Sequence, residues 1–243
     1  MRPKRDKTNT MSDHLMNTYA RLPVTFEKGA GAILQDTEGK SYLDAVSGIA
    51  VCSLGHAHPA IAEAICEQSR KLIHTSNLYH VANQDALADK LIELSGMDRV
   101  FFSNSGAEAN EAAIKIARKY GNDKGVKNPT IIVMQNSFHG RTMATLSATG
   151  NSKVHEGFAP LVQGFIHVPY DDVAAVEALS DNPDIVAIWA EPVQGEGGVH
   201  VPQAGYLKAL RDICDQNDWL LMADEIQTGM GRTGAWFAFQ HEN

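Results

Sequence analysis

The sequence predicts an α/β fold, with a mostly parallel sheet covered by helices on both faces. From about residue 99 onward, short apolar segments alternate with segments that have the spacing of amphipathic helices. The apolar segments are continuously apolar, as in Ile185–Ala190, and such runs are typical of parallel strands buried on both sides. The predicted strands are Arg99–Phe102, Ile131–Met134, Phe165–Val168, Ile185–Ala190 and Trp219–Ala223.

Helices are predicted between these strands and upstream of them. Pro59 is expected to open one helix, since proline suits the first helical position, and Gly96 is expected to end another. Near the amino terminus, two extended segments flank a turn that contains Gly39. The predicted extended segments are Ala32–Gln35 and Ser41–Leu43, and the predicted helices after the one at Pro59 are Gln84–Ser95, Ala107–Tyr120, Val173–Leu179 and Tyr206–Gln216.

Changes in composition along the chain suggest three regions. Residues 1–10 are basic and lack an apolar core, so we expect a disordered extension and not a secretory signal, with Met11 as an alternative start. Residues 11–58 form an amino-terminal segment, and residues 59–243 form a large domain. The chain ends abruptly after a glycine-rich loop and an aromatic segment, so this domain is expected to be incomplete at its carboxyl end.

Composition excludes several kinds of partner. The 243 residues carry a formal net charge of −8, which argues against nucleic acid and against an acidic membrane surface. No run of about 18 apolar residues occurs that could span a bilayer. The chain has three scattered cysteines, Cys52, Cys66 and Cys214, as expected of a protein in the reducing cytoplasm.

No metal site is expected. The sequence contains no CxxC pair and no HExxH motif. The histidines at 56, 58, 74 and 80 are numerous but lack the spacing of metal ligands.

The segment Ser103–Asn110 follows a predicted strand and opens a predicted helix. Backbone amides at the start of a helix have no internal partners, and the helix dipole favours an anion there. Gly106 and Ala107 are small enough to let a phosphate approach the backbone. A capping box formed by Ser105 and Glu108 explains the same residues equally well.

The segment Asn136–Thr142 follows the strand that ends at Met134, at the sheet edge where ligands bind in parallel α/β proteins. Phe138 could stack on a flat aromatic cofactor, and Arg141 could clamp a carboxylate. A surface loop with an ordinary arginine is the alternative.

Carboxylates follow two further strands. Trp219–Ala223 leads into Asp224 and Glu225, and Ile185–Ala190 leads into Glu191 and Glu196. A buried carboxylate is costly without a partner, and a protonated ring nitrogen would serve as one. A metal ligand or a structural salt bridge remains an alternative at this stage.

Together and in this order, these motifs resemble the class III aminotransferases of fold type I, over nearly all of residues 15–243. The motifs that carry the resemblance are SGAEAN (105–110), FHGRT (138–142), EPVQGEGG (191–198) and ADEIQ (223–227). The resemblance implies the large domain of such an enzyme, with pyridoxal 5′-phosphate as its cofactor. It also implies a cytoplasmic homodimer when the protein is complete.

The resemblance assigns roles to individual positions. Ser105, Gly106 and Ala107 would hold the cofactor phosphate, Phe138 would stack on the ring, and Gln227 would lie near the ring hydroxyl. Asp224 would pair with the pyridine nitrogen, as the catalytic residue of this set. Arg141 would bind the α-carboxylate of the substrate, and Glu196 would be a gate that swings aside for a dicarboxylate.

The segments MNTYAR (16–21) and VSGIAVCSLGHAH (46–58) resemble members that transfer an amino group from N-acetylornithine to 2-oxoglutarate in arginine biosynthesis. Ornithine, 4-aminobutyrate and succinyl-diaminopimelate remain alternative donors. A non-catalytic fragment and an α/β enzyme of another cofactor class are further alternatives.

The Schiff-base lysine of the family lies beyond Asp224, in a segment that this chain does not reach. The family's carboxy-terminal small domain is missing as well. Lys115, Lys153 and Lys208 stand in different sequence contexts, so the chain alone is expected to have negligible transaminase activity.

Overall fold

The computed structural model describes residues 14–242, and the predicted extension at 1–10 lies outside this range. The chain divides into two compact units, one ending at His74 and the other beginning at Thr75. The division at residues 58 and 59 that the sequence suggests stays a prediction.

The first unit contains a small antiparallel sheet. Asp36 fixes its turn, because one carboxylate oxygen accepts hydrogen bonds from the Glu38 and Lys40 amides and the other accepts from the Tyr42 hydroxyl. A helix then begins at Pro59, as predicted. The elements of this unit are β1 (Phe26–Ala30), β2 (Ile33–Asp36), β3 (Ser41–Leu43), the left-handed turn α1 (Ser47–Ala50) and α2 (Pro59–Lys71).

The second unit carries the parallel sheet. Its helices are α3 (Ala82–Ser95), α4 (Gly106–Asp123), α5 (Met143–Ala148), α6 (Val173–Glu177) and α7 (Tyr206–Asn217). Its strands are β4 (Thr130–Met134), β5 (Phe165–Val168), β6 (Ile185–Ala190) and β7 (Leu220–Ala223). Short 3-10 turns occur at Ser152–His155 and Ala238–His241.

All four strands of the large sheet are parallel, in the order β5-β4-β6-β7. One face packs against α6 and α7, with Ile132 and Ile188 in that core. The other face packs against α4 and α5, with Val133 and Trp189 in the second core. Alternate residues of one strand therefore serve two cores, which explains the continuous apolar runs and confirms the predicted fold class.

The predicted strand Arg99–Phe102 is wrong. The segment is irregular and pairs with no strand among residues 14–242, and Phe101 is 69% exposed. An apolar run becomes a strand only where a neighbouring strand satisfies its amides. Conversely, strand β1 and helix α5 are present although neither was predicted.

No helix within residues 14–242 is long and apolar enough to cross a bilayer.

Candidate functional site

The carboxyl ends of three neighbouring strands bring several of the predicted site residues to one edge of the large sheet. The loop with Phe138 follows β4, Glu191 follows β6 and Asp224 follows β7. Ala190 pairs with Ala223 in register, and the Asp224 amide donates to the Ala190 carbonyl at 2.9 Å. Residues that come directly after these strands therefore share the edge where ligands bind in such sheets.

Asp224 is buried and receives three hydrogen bonds. Its Oδ2 accepts from Asn110 Nδ2 and from His139 Nδ1, each at 2.8 Å. Its Oδ1 accepts from the Ile226 amide at 3.1 Å. A carboxylate offers about four acceptor positions, so one position, on Oδ1, is not taken by any donor within residues 14–242.

Asn110 and His139 were not predicted to be part of the site. Asn110 lies one turn into α4, and its amide group donates to the His139 carbonyl as well as to Asp224. The only sequence signal for both residues was their membership of the SGAEAN and FHGRT motifs.

Ring stacking and hydrogen bonds fix the position of His139. Its ring stacks on Trp189 with centroids 3.8 Å apart, and its amide donates to Thr149 Oγ1 at 3.0 Å. Its Nε2 is buried and has no hydrogen-bond partner within residues 14–242. Because Asp224 can only accept, Nδ1 carries the proton of this contact.

The start of α4 lies beside this carboxylate. Gly106 approaches the loop after β7 so closely that a Cβ would lie 3.0 Å from Ile226 Cγ1. Between Gly106 and Asn110 the helix rises about 6 Å, and Asn110 contacts Asp224 directly. The predicted anion site at the start of α4 and the α4 residue that binds the predicted acid thus lie about one helical turn apart.

Ser105 caps α4. Its Oγ accepts from the Glu108 amide at 3.2 Å, whereas the Glu108 carboxylate accepts from the amide and side chain of Asn104. The cap is therefore present without the return contact of a full capping box. Since Ser105 Oγ accepts in this contact, its proton can still be donated to a ligand.

The FHGRT loop packs against α4. Gly140 has a φ of 131°, and a Cβ there would lie 2.9 Å from Ala107 Cβ. The Phe138 amide donates to Glu191 Oε2 at 3.2 Å, and the Arg141 guanidinium lies 5.8 Å from the Phe138 ring centroid. Phe138 is half-buried and Arg141 is exposed, so the two predicted ligand contacts are neighbours.

The predicted residues Gln227 and Glu196 lie on neighbouring loops. A Cβ on Gly195 would lie 3.7 Å from Gln227 Cβ. Glu196 is exposed, in a loop closed by paired backbone hydrogen bonds between Gln194 and His200. It is close enough to Glu191 for its charge to help raise the pKa of the Glu191 carboxyl.

The Glu225 carboxylate binds structural partners and forms no hydrogen bond with Asp224 within residues 14–242. Its Oε1 accepts from the Phe239 amide at 2.9 Å, and its Oε2 accepts from the Ala238 amide and the Thr228 hydroxyl. These bonds tie the end of β7 to the 3-10 turn at Ala238–His241. Within residues 14–242, no group of three or more histidine, cysteine or acidic side chains is arranged to hold a metal ion.

Comparison with known proteins gives a consistent result along the whole described chain. Residues 15–243 match the family model described as aminotransferase class III. Acetylornithine aminotransferase from Nitrosomonas europaea is 64% identical over 229 residues, which are 94% of this chain and 58% of that protein. The protein of the same name from Methanocaldococcus jannaschii is 53% identical and is covered to 57%.

Solved structures agree in fold. The ornithine aminotransferase from Toxoplasma gondii superposes with a TM-score of 0.91 at 37% identity, over 95% of this chain and 55% of that one. The N-acetylornithine aminotransferase from Stenotrophomonas maltophilia gives a TM-score of 0.79 at 40% identity, over 92% and 56%. A second structure of the Toxoplasma enzyme is described as having PLP at partial occupancy in its active site. The chain thus spans under three-fifths of the length of the relatives that it matches.

Proposed function

The chain belongs to the class III aminotransferases, and we propose that it supplies the cofactor-binding part of an enzyme that moves an amino group from N-acetylornithine to 2-oxoglutarate. The observation that carries this proposal is the environment of Asp224. Three donors compensate the burial of its carboxylate, and one acceptor position remains for an N–H donor. A buried carboxylate that can accept one more hydrogen bond, beside the start of a helix, fits the two polar ends of pyridoxal phosphate.

In this proposal the phosphate binds at Ser105, Gly106 and Ala107. The Ser105 hydroxyl has a proton to donate, and the first amides of an α-helix favour an anion. Gly106 has no side chain, so the loop after β7 can approach the helix start closely.

Phe138 and Asp224 would hold the heterocycle itself. The Phe138 ring is half-buried and its amide is fixed by Glu191, so it is a suitable stacking surface. Asp224 would keep the ring nitrogen protonated, and Gln227 would lie near the ring hydroxyl. When bound, the cofactor supplies the electron sink that makes loss of the α-proton possible.

Arg141 and Glu196 are proposed to bind the substrates. The exposed Arg141 guanidinium borders the Phe138 ring and can form two parallel hydrogen bonds to an α-carboxylate. Glu196 is exposed on the adjacent loop, where it could repel a second carboxylate until it moves aside. We further propose that the cofactor-linking lysine lies in the part of the relatives' length that this chain does not span.

The choice of donor rests on the relatives. Curated relatives named acetylornithine aminotransferase are 51–64% identical to this chain. Among the solved structures, the N-acetylornithine aminotransferase from Stenotrophomonas maltophilia is 40% identical and the ornithine aminotransferase from Toxoplasma gondii is 37% identical. Ornithine is therefore the second candidate, supported by the TM-score of 0.91.

The test is a donor comparison with the protein that contains this chain. After addition of pyridoxal phosphate, turnover with 2-oxoglutarate is measured for N-acetylornithine, ornithine, 4-aminobutyrate and succinyl-diaminopimelate. We expect the highest kcat/KM with N-acetylornithine and a loss of at least about 100-fold in Asp224→Ala. Asp212→Ala, at an exposed carboxylate on α7, is the control. A preference for ornithine would overturn the proposed choice of donor. Absence of turnover with every donor would overturn the proposed function.

We also propose that the complete protein is a cytoplasmic homodimer. Leu78, Tyr79 and Phe101 are 69–83% exposed and line one cavity of about 300 Å³, and apolar groups clustered in this way often mark an interface. The three free cysteines suit a reducing compartment. Light scattering should give the mass of a dimer for the parent protein and a smaller mass for Phe101→Glu, and cell fractionation tests the compartment.

A further inference from the structure

Two carboxyl groups lie side by side at the edge of the large sheet. Glu191 directly follows β6 and Asp224 directly follows β7, and the two strands are paired up to the preceding residues, Ala190 and Ala223. Both are buried, with 5% of Glu191 and 6% of Asp224 exposed. Two negative charges in such a site repel each other and lose hydration, so one of them is expected to be neutral.

The hydrogen bonds indicate which of the two carboxyl groups carries the negative charge. Asp224 receives three donors, two of them from the side chains of Asn110 and His139. Glu191 receives the Phe138 amide, and no lysine, arginine or histidine within residues 14–242 forms an ion pair with it. Asp224 is thus the residue equipped to carry the charge.

The surroundings of Glu191 point the same way. Burial raises the pKa of its carboxyl to about 8, the negative charge of Asp224 adds to this, the Phe138 amide opposes it, and Glu196 contributes least. The other titratable neighbours direct their polar atoms elsewhere. His139 donates to Asp224, and the Tyr170 hydroxyl donates to the Glu191 and Pro192 carbonyls at 3.0 and 3.1 Å.

The carbonyl contacts of Tyr170 have a second consequence. They hold the Glu191 backbone from one side while its carboxyl holds the Phe138 amide on the other. Within residues 14–242 the Phe138 amide makes no other hydrogen bond, and the Phe138 ring is the proposed stacking surface. The position of the ring therefore depends on a carboxyl group that comes from the neighbouring strand.

We propose that Glu191 is a positioning residue of the cofactor site, which fixes the Phe138 ring through its backbone amide while its carboxyl stays uncharged beside the Asp224 anion. This inference rests on the proposed function, since Phe138 matters here as the surface on which the cofactor ring stacks. Glu191 acts through Phe138 and need not touch the cofactor itself. A glutamine side chain should therefore be able to substitute for the Glu191 carboxyl as the acceptor of the Phe138 amide, whereas an apolar side chain should not.

The experiment uses the apoprotein form of the protein that contains this chain, titrated with pyridoxal phosphate. We expect Glu191→Gln to bind it within about threefold of the parent, and Glu191→Leu to bind at least about tenfold more weakly, because the partly buried Phe138 amide loses its acceptor. Glu191→Met is a second apolar variant in case the leucine does not fold. In a Phe138→Ala background the effect of the leucine should shrink to about twofold or less.

A general structural loss would weaken binding equally in both backgrounds, and that result would overturn the inference. So would parent-like binding by both apolar variants. If the parent itself fails to bind pyridoxal phosphate, both the proposed function and the inference are wrong. If the parent binds it and the apolar variants bind it equally well, only the inference is wrong.

A second measurement tests the uncharged carboxyl directly. The infrared difference between the parent apoprotein and Glu191→Gln at neutral pH should contain the carbonyl stretch of a protonated carboxylic acid. That band should disappear at alkaline pH, and its absence at neutral pH would overturn the assignment of charge.

Discussion

His139 and Asp224 are joined by a hydrogen bond of 2.8 Å between imidazole Nδ1 and carboxylate Oδ2, and both side chains are almost fully buried. The ring also stacks on Trp189, so the histidine has little freedom to turn. Since Asn110 binds the same oxygen, Oδ2 is saturated and the remaining acceptor position lies on Oδ1. The orientation of this position toward a ligand thus depends on residues that need not touch the ligand.

The first prediction concerns this dependence. In His139→Leu the donor is removed, so Asp224 is less firmly oriented, and we expect pyridoxal phosphate to bind about 10- to 100-fold more weakly. In His139→Asn a side-chain amide can still donate, and most of the affinity should remain. Quenching of tryptophan fluorescence during titration of the apoprotein measures both.

The control is His241→Leu, at an exposed histidine that contacts Thr233. It should leave the affinity unchanged. Equal binding by the leucine and asparagine variants at position 139 would contradict the role of the donated hydrogen bond.

The strands of the large sheet were predictable because their sequence signal, a continuous apolar run, is local. In β6, Ile188 serves one core and Ala187 and Trp189 serve the other, so the strand has no polar face and stands out in the sequence. That Asp224 would have hydrogen-bond partners was predictable for a related reason, since an acid at the end of an apolar strand needs them.

The partners of Asp224 were not predictable from local patterns. Asn110 and His139 lie 114 and 85 positions away from it in the chain, and only the folded sheet brings them together. The same limit explains the wrong strand at Arg99–Phe102, which is apolar but has no neighbour to pair with in the described chain. Conversely, β1 is mostly exposed and lacks an apolar signal.

A second prediction concerns Gly150, which supports the FHGRT loop. Its amide donates to Ser137 Oγ at 3.0 Å, and a Cβ would lie only 2.2 Å from the Met134 carbonyl oxygen. Because that neighbour is backbone and cannot move aside, Gly150→Ala should lower Tm by at least about 6 °C. The matched control is Gly195→Ala, where the nearest atom is 3.7 Å away. Equal melting temperatures for the two variants would show that the loop can shift.

A third prediction separates substrate binding from chemistry. Lysine keeps the charge of Arg141 but cannot form two parallel hydrogen bonds to a carboxylate. Arg141→Lys should therefore raise KM for the amino donor and for 2-oxoglutarate by about tenfold or more, with a smaller effect on kcat. Arg118→Lys is the control, since that guanidinium lies 5.9 Å from the Phe165 ring and contacts the Gln163 carbonyl. An unchanged KM in Arg141→Lys would remove Arg141 from the substrate site.

The last prediction is a pH dependence of stability that arises from Glu191. Burial raises the pKa of its carboxyl from 4.5 to about 8. Below pH 4.5 the group is protonated in both states and contributes no difference. Between pH 4.5 and 8 the unfolded chain releases this proton while the folded chain keeps it, so the free energy of unfolding falls as pH rises, by up to a few kcal/mol, and levels off above pH 8. Glu191→Gln cannot ionise, so its advantage over the parent apoprotein in chemical denaturation should grow from pH 5 to pH 8. Glu156→Gln, at an exposed carboxyl, should follow the parent at every pH, and a Glu191→Gln curve parallel to the parent would mean that Glu191 is already charged at pH 5.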